Sequence, residues 1–127
     1  MSTAVTNGIS VSVKSQYIPE RSSVSSRQYA FAYTVRISNE GGVPSRLQSR
    51  HWIITDGTGH VEEVRGPGVV GVQPRLRPGE TFEYTSWCVL ATPSGEMRGT
   101  YQMITDEGNP FDATIAPFRL ALPQTLN

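Results

Sequence analysis

Tyr29, Phe31, Tyr33, Val35 and Ile37 occupy every second position of one stretch, and Ala30, Ala32, Thr34, Arg36 and Ser38 fill the places between. A strand points successive side chains to opposite faces, so this alternation predicts a half-buried strand with its aromatics on the core side. A helix would scatter the same rings around its circumference. The period recurs along the chain. Ile9, Val11 and Val13 alternate with polar residues, and Trp52 and Ile54 share a face within Leu47 to Asp56. Phe82, Tyr84 and Leu90 do so within Thr81 to Ala91, and Met97, Tyr101 and Met103 within Gly95 to Thr105. Phe111, Ala113 and Ile115 run in phase, and then Phe118, Leu120 and Leu122 run in the other. Pro117 stands at that shift and predicts a bulge or an edge position.

Turn chemistry separates these runs: Asn39-Glu40-Gly41-Gly42, Asp56-Gly57-Thr58-Gly59, Arg77-Pro78-Gly79-Glu80, Thr92-Pro93-Ser94-Gly95 and Asp106 to Pro110. The Asp56–Gly59 turn makes His60 to Arg65 the returning arm of a hairpin. About seven short strands with turns between them predict an all-β antiparallel sandwich. Trp52 on the third strand matches the buried tryptophan of immunoglobulin-like sandwiches. Leu76-Arg77-Pro78-Gly79 resembles the turn that leads into a strand in fibronectin type III domains. Cys88 is the only cysteine, so the inter-sheet disulfide of antibody domains is impossible and the fibronectin type III-like branch is favoured. At 127 residues the chain predicts one domain over 1–127, with an ordered core of about residues 7–122 and frayed ends at 1–6 and 123–127.

Charge narrows the function classes. Lys+Arg and Asp+Glu are 11 each, for a formal net charge of zero. A general nucleic-acid or anionic-membrane binder would carry a basic excess. No apolar run approaches a membrane span, and the first residues lack the basic and apolar regions of a signal peptide. With the lone cysteine, these features predict a cytoplasmic protein without a disulfide.

Arg65-Gly66-Pro67-Gly68-Val69-Val70-Gly71 contains the spacing G-x-G-x-x-G of a dinucleotide-binding turn. That motif works only where a helix starts at the glycines and aims its free N–H groups at a pyrophosphate. Here Pro74 and Pro78 fall where the helix would run, and each costs about 3 kcal/mol inside a helix. Val69, Val70 and Val72 favour extended backbone. The dinucleotide fold is therefore rejected. Two simpler roles stay open. The glycines shape a sharp turn or bulge, or they let backbone N–H groups cradle an anion, with Arg65, Arg75 and Arg77 supplying charge.

Other constellations are thin. His51 and His60 could meet across the hairpin with Glu62 or Glu63 to hold a metal. Asp106, Glu107 and Asp112 bracket a turn where a hard cation could sit. Neither set has fixed geometry, so solvated surface is expected for both, and no metal or other cofactor is assigned. Cys88 has no neighbouring cation in sequence to lower its pKa and is expected to be an inert thiol. No nucleophile elbow, phosphate loop or catalytic carboxylate pair is present. The chain is expected not to be an enzyme.

The string from Arg65 to Leu90, with Arg50 to Gly59 before it and Met97 to Met103 after it, closely resembles the ApaG family. The resemblance covers essentially the whole chain and implies a small fibronectin type III-like sandwich without established catalytic activity. Bacterial members are associated with cobalt resistance and magnesium–cobalt efflux, and their gene commonly neighbours that of a diadenosine tetraphosphate hydrolase. Related domains in F-box and polymerase-interacting proteins imply protein–protein binding. Pro67 and Val72 stand where many members carry polar residues, and Trp87 stands where glycine is frequent. A large aromatic at 87 suits an exposed interaction patch.

The expectation is therefore a non-catalytic binding module whose partner is another protein. Its working surface is expected at Arg65, Gly66, Gly68, Gly71, Arg75 and Arg77, or along an exposed sheet edge that takes a partner strand. A nucleotide or other phosphate at the glycine loop is the first alternative, and a directly bound divalent cation is the second.

Overall fold

The computed structural model describes residues 1–123, which form two antiparallel sheets packed face to face. One sheet has the order β1-β2-β3-β7: Ser2–Thr6, Ile9–Tyr17, Tyr29–Asn39 and Thr81–Leu90. The other has the order β5-β4-β8-β9: Val61–Pro67, Ser45–Asp56, Ser94–Thr105 and Pro110–Ala121. A short β6, Arg75–Leu76, also pairs with β4. One 3-10 turn, Pro19–Arg21, lies between β2 and β3. This is the antiparallel sandwich that the alternation predicts, of the fibronectin type III-like kind that the Leu76–Gly79 turn and the lone cysteine favour.

The alternating rows meet in the core. Phe31, Val35 and Ile37 of β3 are fully buried, as are Leu47, Tyr101 and Leu120 of the facing sheet. Trp52 is the hub. Tyr33 lies edge-on to it at 5.4 Å, with Phe118 at 5.9 Å and Tyr101 at 6.2 Å. Such tilted pairs suit the ring quadrupoles better than face-to-face stacking. The Tyr84 and Tyr101 hydroxyls bond each other inside the core. Burial pushes both phenol pKa values up, because a phenolate would lose its hydration there.

Nine strands are present among the described residues, against about seven expected. The first addition corrects the frayed N-terminus. Ser2–Thr6 pairs with β2 from Ser2↔Val13 to Thr6↔Ile9. It offers no large apolar row to read. Backbone pairing and side-chain hydroxyls hold it instead: Ser2 Oγ donates to the Ala116 carbonyl and Thr6 Oγ1 accepts the Thr114 N–H. Residues 124–127 of the expected frayed C-terminus lie outside the described residues. The second addition is β6, which is too short to show a period.

Two bulges set the phase of the second sheet. The β8/β9 register jumps from Met97↔Phe118 to Gly99↔Ile115, so Ala116 and Pro117 oppose Arg98 alone, where the sequence places a bulge. The β4/β8 register jumps from Leu47↔Met103 to Ser49↔Gln102, leaving Gln48 over. Gln48 turns its carbonyl to the glycine segment and accepts the Gly68 N–H and the Gln73 side-chain amide, both at 2.8 Å.

Candidate functional site

The sandwich has one closed side and one open side. On the closed side β1 and β2 meet β9. Ser15 Oγ donates to the Arg119 carbonyl there at 2.8 Å, alongside the two β1 bonds. On the open side the edges are β7 and β5, and among the described residues no hydrogen bond joins them. The glycine segment stands at one end of this opening.

Each glycine of the motif has a mechanical task. Val69 and Val72 exchange two backbone hydrogen bonds of 2.9 Å across a two-residue turn, with positive φ at Val70 (43°) and Gly71 (81°). Both signs match the turns that suit tight hairpins. Gly68 also has positive φ, 59°, and a Cβ there would sit 2.3 Å from the Val72 carbonyl oxygen. Gly66 leaves space for a guanidinium: an added Cβ would come within 2.9 Å of Arg50. The chain after Gly71 returns to the sheet as β6 and starts no helix. The N–H groups of Gly68, Val69 and Val72 are all taken by protein carbonyls.

The arginines do not converge. β6 buries Leu76, so Arg75 and Arg77 on either side of it face out. Arg75 pairs with Asp106, and Arg77 pairs with Glu80 at 3.1 Å. Those contacts raise both guanidinium pKa values and hold Asp106 and Glu80 below the usual carboxylate range. Arg65 lies 3.6 Å from Glu63. The residue at the loop is Arg50, whose Nη1 donates to the Pro67 carbonyl at 3.0 Å and the Gly68 carbonyl at 2.9 Å. Among the described residues no carboxylate lies within 4 Å of it. Sequence reasoning passed over Arg50, although a signal was available. It stands on the inward phase of β4, two residues before Trp52 and four before Ile54.

The two histidines stay apart. His51 is opposite Arg65 in the β4/β5 register and bonds Glu63 at 2.7 Å, while His60 lies in the turn, 3.9 Å from Glu62. Neighbouring glutamates on a strand face opposite ways, so the pairs cannot merge into one site. Asp106 is engaged by Arg75. Among the described residues no three of His, Cys, Asp and Glu group to hold a metal. Cys88 is half-buried, and burial pushes its thiol up to about 11.

Three adjoining hollows of about 360, 340 and 370 Å³ run along the open side. The first lies between Arg50, Val69, Val70 and Tyr84. The second reaches Trp52 between Val64 and Trp87, and the third ends at Asp56, His60 and Arg27. Apolar side chains face water along this line. Trp87 is 51% exposed, Val89 60% and Val70 58%. The Arg21 guanidinium sits 5.1 Å over the Trp87 ring. No helix among the described residues is long and apolar enough to cross a membrane.

Fold and site together define a small fibronectin type III-like sandwich with one open, partly apolar side. The model of the ApaG domain family matches residues 19–105, and this chain belongs to that family. A protein named ApaG from Anaeromyxobacter dehalogenans is 61% identical over 127 residues, the whole of both chains. A second, from Bordetella pertussis, is 60% identical over 119 residues, covering 94% of this chain and 91% of its own. A crystal structure assigned to an ApaA protein of Bordetella pertussis superposes with a TM-score of 0.90 at 60% identity, over 92% of this chain and 95% of that one.

Proposed function

We propose that this protein is a non-catalytic binding module of the cytoplasm that docks another protein on its open side. The observation that carries this reading is the line of hollows between β5 and β7, flanked by exposed Trp87, Val89 and Val70. Contiguous exposed apolar side chains rimmed by polar ones mark interaction surfaces, and aromatics dominate the binding energy of such surfaces. The association of the family with magnesium–cobalt efflux is then exerted through the partner. The test is an affinity capture from the native host with wild type and Trp87→Glu. Loss of the specific partners with the variant is expected, and an unchanged partner set would defeat the reading.

A second reading has its own observation. Among the described residues Arg50 has no carboxylate within 4 Å, and it borders the hollow beside Val70 and Gly71. An anionic ligand such as a nucleotide polyphosphate would pair with its free guanidinium edge. A titration with ATP and Mg²⁺, followed by backbone amide NMR, tests this. Absence of shifts at Val70 and Gly71 at millimolar ligand would end it.

A further inference from the structure

The backbone of β7 has a phase that can be worked out from its neighbours. Asn39 directs both its groups toward the β7 side, donating to the Glu80 carbonyl and accepting the Gly79 N–H. Ala30 directs both toward the opposite side, accepting the Ile18 N–H and donating to Ser22 Oγ. Residues of an antiparallel strand alternate in this respect. Tyr29, Phe31, Tyr33, Val35 and Ile37 therefore bond their register partners Leu90, Cys88, Ser86, Tyr84 and Phe82. The N–H and C=O groups of Glu83, Thr85, Trp87 and Val89 point away from the sheet. Since β7 pairs only with β3, they have no backbone partner among the described residues.

The other edges are guarded by the usual devices against strand pairing. β1 is only 5 residues long and is tied to β9. β9 carries Pro110, Pro117 and a bulge. β5 ends at Pro67 and carries Glu62, Glu63 and Arg65. β7 is 10 residues long, without proline, and its register with β3 is unbroken. Its exposed row includes a threonine, a tryptophan and a valine, which favour extended pairing.

The face opposite this edge is uncovered too. Val64 is across from Trp52 and Glu62 across from Ile54, so both point toward the first sheet, yet both are exposed. They line the hollow with Cys88 and Val89. A strand added to β7 would lie above them. Glu62 would then meet a side chain two positions from the one above Val64.

We propose that β7 accepts an extended segment of another polypeptide as a fifth strand of its sheet, through the backbone groups of Glu83, Thr85, Trp87 and Val89. The segment carries a basic side chain facing Glu62 and an apolar one, two residues away, against Val64 and Ile54. Main-chain bonds supply affinity in such strand addition, and alternate side chains supply selectivity. This rests on the binding-module reading and specifies its mode.

The experiment pans a phage-displayed library of random dodecapeptides on the full chain, then measures the recovered peptides as synthetic compounds. The expected peptides are free of proline and carry the basic-x-apolar pattern. On saturation, the amides of Glu83, Thr85, Trp87 and Val89 become protected from exchange. Besides the exposed Thr34–Thr85 hydroxyl bond of 2.9 Å, Thr85→Pro removes an outward N–H and no backbone bond to β3, a position where an edge strand tolerates proline. It is expected to weaken binding by at least about tenfold. Glu62→Lys is expected to reverse the charge preference. Recovery of no peptide, protection centred on residues 66–72, or unchanged affinity in Thr85→Pro overturns the proposal. Sedimentation of the free chain as a dimer that Thr85→Pro dissolves overturns it in favour of a second copy. Native partners lost with Trp87→Glu but kept with Thr85→Pro would defeat strand addition while leaving the binding module intact.

Discussion

On the β1/β9 side hydroxyls of one sheet bond the backbone of the other, whereas on the β5/β7 side no hydrogen bond joins the sheets among the described residues. Both sides come from the same alternating sequence pattern. The difference lies in what each edge presents. β9 brings Ala113, Ile115 and Leu120, all essentially buried, with a bulge and prolines that discourage further pairing. β5 brings residues that are exposed from Val61 to Arg65. The closed side therefore buries apolar surface between the sheets, and the open side leaves apolar surface and backbone groups uncovered among the described residues. A small sandwich can join its sheets along one flank and leave the other uncovered by asymmetry alone.

The sharpest way to break this contrast is paired truncation. Ile115→Ala on the closed side should cost about 2–5 kcal/mol in denaturant unfolding, because the void cannot refill. Val89→Ala on the open side should stay within about 0.5 kcal/mol. Equal losses would show that the open side also carries the fold. Next comes chemistry at Cys88. With its thiol pushed up to about 11 by burial, it should alkylate on the order of 100-fold more slowly than free cysteine at pH 8, since only the thiolate reacts. Iodoacetamide kinetics measure this, and a free-cysteine rate would mean that the groove admits water to the sulfur. The smallest effect is at the rim. Val70 is β-branched and held at φ 43°, a conformation such residues avoid. Val70→Asn should raise stability by about 1 kcal/mol, read as a higher unfolding midpoint. A fall would mean that Val70 packing outweighs the backbone strain.

Much of the fold was legible because large side chains mark the alternating phase. Tyr29 to Ile37 could only be a strand, and Trp52 declared its face. β1 was missed because Ser2, Ala4 and Thr6 put nothing large on the inner side, so its stability comes from hydroxyl and backbone bonds that leave no period. The glycine motif was half legible. Pro74 and Pro78 exclude a helix from sequence alone, but the partner of the loop is a carbonyl freed by a bulge at Gln48 in another strand. Arg65, Arg75 and Arg77 looked like a cluster because they are near in sequence. The strand period turned two of them outward, and Arg50, distant in sequence, took the place at the loop. That β7 is an edge could not be read locally, because both its sequence neighbours, β6 and β8, belong to the other sheet.

The contact of Ser2 with the Ala116 carbonyl has a practical consequence. It places the start of β1 beside β9, the last described strand, on the flank away from the hollows. A linker, tag or immobilising surface attached near Ser2 would hold the molecule by its closed flank. The groove and the β7 edge would then face outward, so attachment there should leave the docking mode proposed above unobstructed.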